Sequence, residues 1–154
     1  MIADKAKEDL ASAMKNKEDL RVSTLRLLLF AIHNKEKEKR YKTSSESDPS
    51  LSEEEVIEIL RSEIKKRKES ISSFQSGGRE NMAEKESKEL DILRQYLPPE
   101  ISREELEKET KKAIAETGAE GPKDIGKVMA VIMPKLKGKA DGGTVSETVR
   151  RMLQ

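Results

Sequence analysis

Between residues 53 and 76 a stripe of apolar side chains stands at Val56, Ile57, Leu60, Ile64, Ile71 and Phe74, separated by steps of one, three, four and seven. Such steps share one side of an α-helix and scatter over both faces of a strand, so the stretch predicts a long amphipathic helix. The gap in the stripe holds Arg67-Lys68, whose aliphatic stems are expected to cover it while their charges reach water. The same period runs in shorter pieces through the rest of the chain. It suits a sequence with 34% hydrophobic, 40% charged and 3% aromatic residues, which must gather its few apolar groups on narrow stripes. Helices do this better than a sheet sandwich, and the expected fold class is all-α.

Local signals divide the helices. Ala6, Leu10, Ala13 and Met14 mark a first helix over 3–15, with Asn16-Lys17 as its break. Val22, Leu25, Leu28, Leu29 and Ile32 mark a second over 19–41, whose polar half beyond His33-Asn34 is expected to face solvent or a partner. The Ser-rich stretch 42–51 reads as a connector. Ser52-Glu53-Glu54-Glu55 is a capping box that opens the helix over 53–76, and Gly77-Gly78 closes it. A fourth helix over 80–96 carries Met82, Leu90, Leu93 and Leu97. Pro98-Pro99 then supplies no amide hydrogen and restricts the residue before each ring, which sets a boundary.

Beyond that boundary the helices shorten. Ser102-Arg103-Glu104-Glu105 is a second capping box for a helix ending near residue 116. Ile125, Val128, Met129, Ile132 and Met133 stripe a helix over 123–133 that ends near Pro134. Thr144-Val145-Ser146-Glu147 reads as a third capping box before a final helix with Val145 and Val149 inward. The expected organisation is a long-helix N-terminal domain over 1–97 and a smaller three-helix C-terminal domain over 98–154.

The residues that carry chemistry are sparse. With no cysteine, thiolate catalysis and sulfur-ligated zinc are excluded. The sole histidine, His33, stands among polar helix residues without the partner that acid–base work requires. Carboxylates at helical spacing, such as Glu80 and Glu84, read as surface rather than as catalytic dyads. No catalytic, cofactor or metal site is expected, and no small-molecule substrate is evident. The start, Met1-Ile2-Ala3-Asp4-Lys5, has no apolar leader core, and the run from Leu27 to Ile32 is far short of the roughly 20 residues that span a bilayer. The expectation is a cytoplasmic protein with no membrane partner.

Charge is uneven beneath a formal total of +1. Residues 98–121 hold four basic and seven acidic groups, whereas residues 122–154 hold seven and three. Within the latter, Lys135, Lys137, Gly138, Lys139 and Asp141 form a glycine-punctuated basic loop before a helix start, where amides and lysines suit phosphate. Lys127 and Arg150, with Arg151, extend this candidate surface, and Arg61, Lys65 and Lys68 form a secondary basic face at helical spacing. Contacts of this kind hold a phosphate backbone without reading bases.

Several separated motifs resemble the YqeY-like family, also called GatB/YqeY domain proteins. They are Leu25-Arg26-Leu27-Leu28 with Ala31-Ile32-His33-Asn34-Lys35-Glu36, and Arg67-Lys68-Glu69-Ser70-Ile71 leading to Gly78-Arg79-Glu80-Asn81-Met82-Ala83. Tyr96-Leu97-Pro98, Glu104-Glu105-Leu106, Gly126-Lys127-Val128-Met129 and Gly138-Lys139-Ala140-Asp141-Gly142 complete the set. The resemblance implies a helical N-terminal domain followed by one similar to the tail of the tRNA amidotransferase B subunit, which helps engage tRNA while amide transfer occurs elsewhere. It implies an RNA-binding inheritance around Lys127 and Lys139. Asp141 departs from the asparagine common in that tail, and the amidotransferase's catalytic cradle is missing, so the family's carbon–nitrogen ligase label fits the larger enzyme. The expectation is a non-catalytic adaptor that binds tRNA or a tRNA-dependent amidotransferase. The alternatives are a protein–protein interaction module without an RNA role and a glutamine-dependent amidotransferase accessory enzyme.

Overall fold

The computed structural model describes residues 1–43 and 48–154; part of the connector expected over 42–51 lies outside the described residues. Among the described residues seven α-helices follow in order: α1 (Ile2–Lys15), α2 (Asp19–Lys42), α3 (Glu53–Ser76), α4 (Glu80–Arg94), α5 (Arg103–Thr117), α6 (Ile125–Leu136) and α7 (Gly142–Met152). A single 3-10 turn, Pro122–Asp124, precedes α6, and no strand occurs among the described residues. The all-helical class is therefore correct. The chain forms two compact units, Met1–Leu97 and Pro98–Gln154.

In the first unit the stripes of α2, α3 and α4 meet through Leu25, Leu28, Ile32, Val56, Leu60, Ile64, Leu90 and Leu93, and α1 adds the small Ala6. Ser52 opens α3 with both halves of the capping box: its hydroxyl accepts from the Glu55 amide at 3.2 Å, and the Ser52 amide donates to the Glu55 carboxylate at 2.7 Å. The gap in the α3 stripe differs from the sequence reading. Arg67 does not carry its charge to water; it is buried, with Nη1 at 3.3 Å from Glu63 and Nε at 3.3 Å from Glu89 of α4. Two carboxylates from facing helices make an inward guanidinium tolerable, which a one-helix reading does not reveal. Met14 and Met82, read as inward, are exposed; Ala13 and Ala83 take the buried positions, so the helices approach over small side chains.

Tyr96 closes this unit. Its hydroxyl donates to Asp9 of α1, and Arg21 of α2 lies 3.5 Å from the same carboxylate. The Tyr96 bond, with help from Lys5 and Arg21, holds the Asp9 carboxyl below its ordinary range. Burial, reinforced by the Asp9 charge, pushes the Tyr96 hydroxyl up to about 12.

The second unit is a three-helix cluster. Leu106 and Ala113 of α5, Val128, Ile132 and Leu136 of α6, and Val145 and Val149 of α7 form its core with Leu153. Two helix boundaries depart from expectation. Pro134 lies inside α6 rather than at its end, because the helix runs on to bury Leu136. The last helix starts at Gly142, and Asp141, not Thr144, is its N-cap. The Asp141 carboxylate accepts from the Thr144 amide at 3.0 Å and from its hydroxyl at 2.6 Å. A carboxylate both caps the free amides and meets the positive helix end, so it outcompetes a hydroxyl three residues later.

Candidate functional site

The candidate site grows from the turn after α6. Once Leu136 is buried the chain must reverse, and Gly138 does so at φ 81°, in the left-handed region that side chains with a Cβ disfavour. The Lys139 amide then bonds back to the Leu136 carbonyl at 2.9 Å, and the Lys139 carbonyl accepts from the Ile101 amide at 2.9 Å. These bonds fix the loop against the segment entering α5. Asp141 next starts α7, so Lys139 stands two residues before a helix N-terminus.

The result is a cleft of about 370 Å³ lined by Ile101, Arg103, Leu106, Lys139, Asp141, Thr144, Thr148 and Arg151, with Glu100, Ala140 and Glu147 completing the wall. Two guanidiniums share one carboxylate at its side. Arg103 Nε lies 3.2 Å and Arg151 Nη2 2.7 Å from Glu107 Oε1. Hydrogen bonding from Arg103 foremost, then from Arg151, holds the Glu107 carboxyl below its ordinary range. The three cations Arg103, Arg151 and Lys139 stand among carboxylates, since Glu100, Asp141 and Glu147 line the same wall and Glu107 lies beside it, so an anion there must engage the guanidiniums and the lysine directly rather than a net positive field. The sole histidine is not part of the cleft: His33 is on α2 in the other unit, exposed, with Nδ1 3.8 Å from Glu36. Among the described residues no group of three or more His, Cys, Asp or Glu side chains is placed to hold a metal ion.

Of the residues singled out from sequence, Lys139 and Asp141 line the cleft and Gly138 makes its turn. Lys127 pairs with Asp124 at 3.5 Å, and Lys135 is held by both carboxylate oxygens of Glu116, at 3.1 and 3.2 Å. Lys137 and Arg150 are exposed but outside the cleft wall. Arg61, Lys65 and Lys68 lie on α3, where Lys65 and Lys68 are exposed and Arg61 is half-buried. Sequence reasoning took Arg103 only as part of a capping box and counted Arg151 with Arg150 without telling which of the two faces the cleft. The Arg103/Glu107 spacing of four was the available signal for the first. The second required knowing that α7 turns Arg151 toward α5.

The Yqey-like protein family model matches residues 3–153 of the chain. Among curated relatives, altered inheritance of mitochondria protein 41, mitochondrial, of Pyrenophora tritici-repentis is 28% identical over 148 residues, which span 94% of this chain and 77% of that protein. The protein of the same name in Kluyveromyces lactis is 37% identical over 103 residues, covering 66% of this chain and 52% of its own. That of Lachancea thermotolerans is 32% identical over 118 residues, covering 75% and 59%. The chain thus matches little more than half the length of the latter two. These relatives carry a mitochondrial designation, which corrects the expectation of a cytoplasmic protein. That expectation rested on the lack of an apolar leader, a test blind to mitochondrial targeting, whose segments are amphipathic and Arg-rich. Among the described residues no helix is long and apolar enough to cross a membrane.

Proposed function

The chain belongs to the YqeY-like family, and from that premise we propose that it is a non-catalytic adaptor that binds tRNA through phosphate contacts in its C-terminal unit. The observation that carries this reading is the cleft beside the start of α7, where Lys139 joins Arg103 and Arg151. Such cations suit a phosphate, a contact that carries no sequence information. The residues similar to the amidotransferase B-subunit tail, Gly138-Lys139-Ala140-Asp141, form the loop that presents Lys139. The binding is therefore shape- and charge-directed rather than sequence-directed.

The test is a titration of bulk tRNA with the full chain at several salt concentrations. Affinity falls as salt rises, and Lys139→Ala weakens binding to all tRNA species alike while lowering the salt slope by about one counterion. Absence of binding at low ionic strength, or a slope untouched by Lys139→Ala, overturns the reading.

A further inference from the structure

The outer face of α2 is built differently from the helix's flanks. At 3.6 residues per turn, Arg26, Leu27, His33, Asn34, Lys37 and Tyr41 all fall within roughly 60° of Phe30 around the axis. Leu27 is 53% exposed, Phe30 63% and Tyr41 88%. Two of the chain's four aromatic rings therefore stand in water on a single ridge, which runs about 21 Å from Leu27 to Tyr41. Met14 of α1, also exposed, is drawn to its edge, with Sδ 4.0 Å from Arg26 Nη2.

The charges sort with equal clarity. On the flanks each cation has a carboxylate: Lys35 and Lys42 hold Glu38, whose carboxyl they pull down to about 2, and Lys39 holds Glu55 at 2.9 Å. On the outer face Arg26 and Lys37, with Arg40 at its rim, make no ion pair among the described residues, and the carboxylate that shares the angular face, Asp19, lies at the start of the helix, about 12 Å before Leu27 along the axis. A surface with an apolar ridge and uncompensated positive charge is complementary to a ligand with an apolar stripe and negative flanks.

We propose that this face docks an acidic amphipathic helix of a protein partner, with its apolar side chains over Leu27 and Phe30 and its carboxylates over Arg26, Lys37 and Arg40. Such a helix presents anchors at spacings of three, four and seven, which the ridge of α2 matches in length and period. Single-stranded nucleic acid fits less well. It has no aliphatic group to cover Leu27 and Met14, and Phe30 and Tyr41 are about 16 Å apart along the axis, too far to stack successive bases. The proposal does not rest on the tRNA reading, since it uses none of the residues of the C-terminal cleft.

The experiment measures binding of the full chain to a labelled, helix-stapled synthetic peptide with leucines at those spacings and glutamates on both flanks. A twin with lysine at every glutamate position is the control. The acidic peptide saturates and the basic twin does not. Arg26→Glu with Lys37→Glu weakens binding at least tenfold, Phe30→Ser about tenfold, and Lys139→Ala leaves it unchanged. All three α2 positions are exposed, and should Phe30→Ser fail to fold, the charge-reversal variant decides. The proposal is overturned if the acidic peptide does not bind or binds the charge-reversed chain equally well. It is also overturned if single-stranded RNA displaces the peptide from this face, or if the face instead supports self-association that the same variants abolish. Weakened tRNA binding in Lys139→Ala with peptide binding intact separates the two sites.

Discussion

Replacing Arg67 with methionine is the most demanding test of how the N-terminal unit is held together. The guanidinium side chain is 8% exposed, and the carboxylates it faces, Glu63 and Glu89, are 14% and 10% exposed. At an effective dielectric of about 20, each attraction across 3.3 Å amounts to about 5 kcal/mol, most of which offsets the cost of taking three charges from water. Arg67→Met keeps the stem but strands the Glu89 carboxylate between α3 and α4, while Glu63 keeps Lys66 at 2.8 Å. Breaking a buried pair in this way costs about 3–5 kcal/mol. Arg67 Nε is buried without a hydrogen bond, its approach to Glu89 being close but poorly aligned, which favours the lower end, about 3 kcal/mol. Urea unfolding of the full chain measures this as a shift in midpoint at unchanged slope. The triple replacement Glu63→Leu, Arg67→Met and Glu89→Leu removes all three charges, and it is expected to restore stability to within about 1 kcal/mol of the native chain or above it. A single variant within about 1 kcal/mol of native, or a triple variant as unstable as the single, refutes the account.

Three further outcomes follow from local geometry. Tyr96→Phe removes the hydroxyl that Asp9 accepts and is expected to cost about 1.5–3 kcal/mol at neutral pH by chemical unfolding. In the native chain the Asp9 share of that stability is complete above its ordinary 3.8 and lost as pH falls through its depressed value; the Tyr96 share is complete below 10 and lost between 10 and about 12. The difference between native and Tyr96→Phe should therefore shrink at both extremes of a pH series. Asp141→Ala removes the cap of α7 and should cost about 1 kcal/mol in a thermal melt, whereas Asp141→Asn retains most of it. Gly138→Ala forces a Cβ onto φ 81° and should cost about 1–2 kcal/mol, with amide shifts at Lys139 and Ile101 in an NMR spectrum.

The helices could be read from sequence where a stripe faced a single partner. The Ser52 capping box and the Val56-to-Ile64 stripe specify α3 locally, and the structure places both as read. Reading stopped where a position was decided by a second helix. Arg67 looks like a solvent-seeking cation until Glu89 arrives across from it, and of the neighbours Ala13 and Met14, read as one stripe, only Ala13 is buried. The same holds at the cleft. Lys139 and Asp141 were visible in a glycine-punctuated basic loop, but Arg103 and Arg151 meet only because α5 and α7 present them to one carboxylate, Glu107. Lys135 shows the converse, since its charge counted toward a basic segment is taken up by Glu116 of α5.

A formal charge of +1 therefore says little about what the surfaces attract, because at physiological salt a field persists over only about 8 Å. What matters is which cations are held by a carboxylate in direct contact. In the cleft Arg103 and Arg151 are already half-neutralised by Glu107, so an anion there competes with a bound carboxylate and its hold should vanish as salt rises. On α2 the unpaired cations sit beside Leu27 and Phe30, whose burial against an apolar stripe is indifferent to screening. Salt should accordingly abolish tRNA binding while leaving a residual affinity for the acidic helical peptide. Identical salt dependence for both ligands would mean that the apolar ridge contributes nothing, and that α2 acts as one more patch of positive charge.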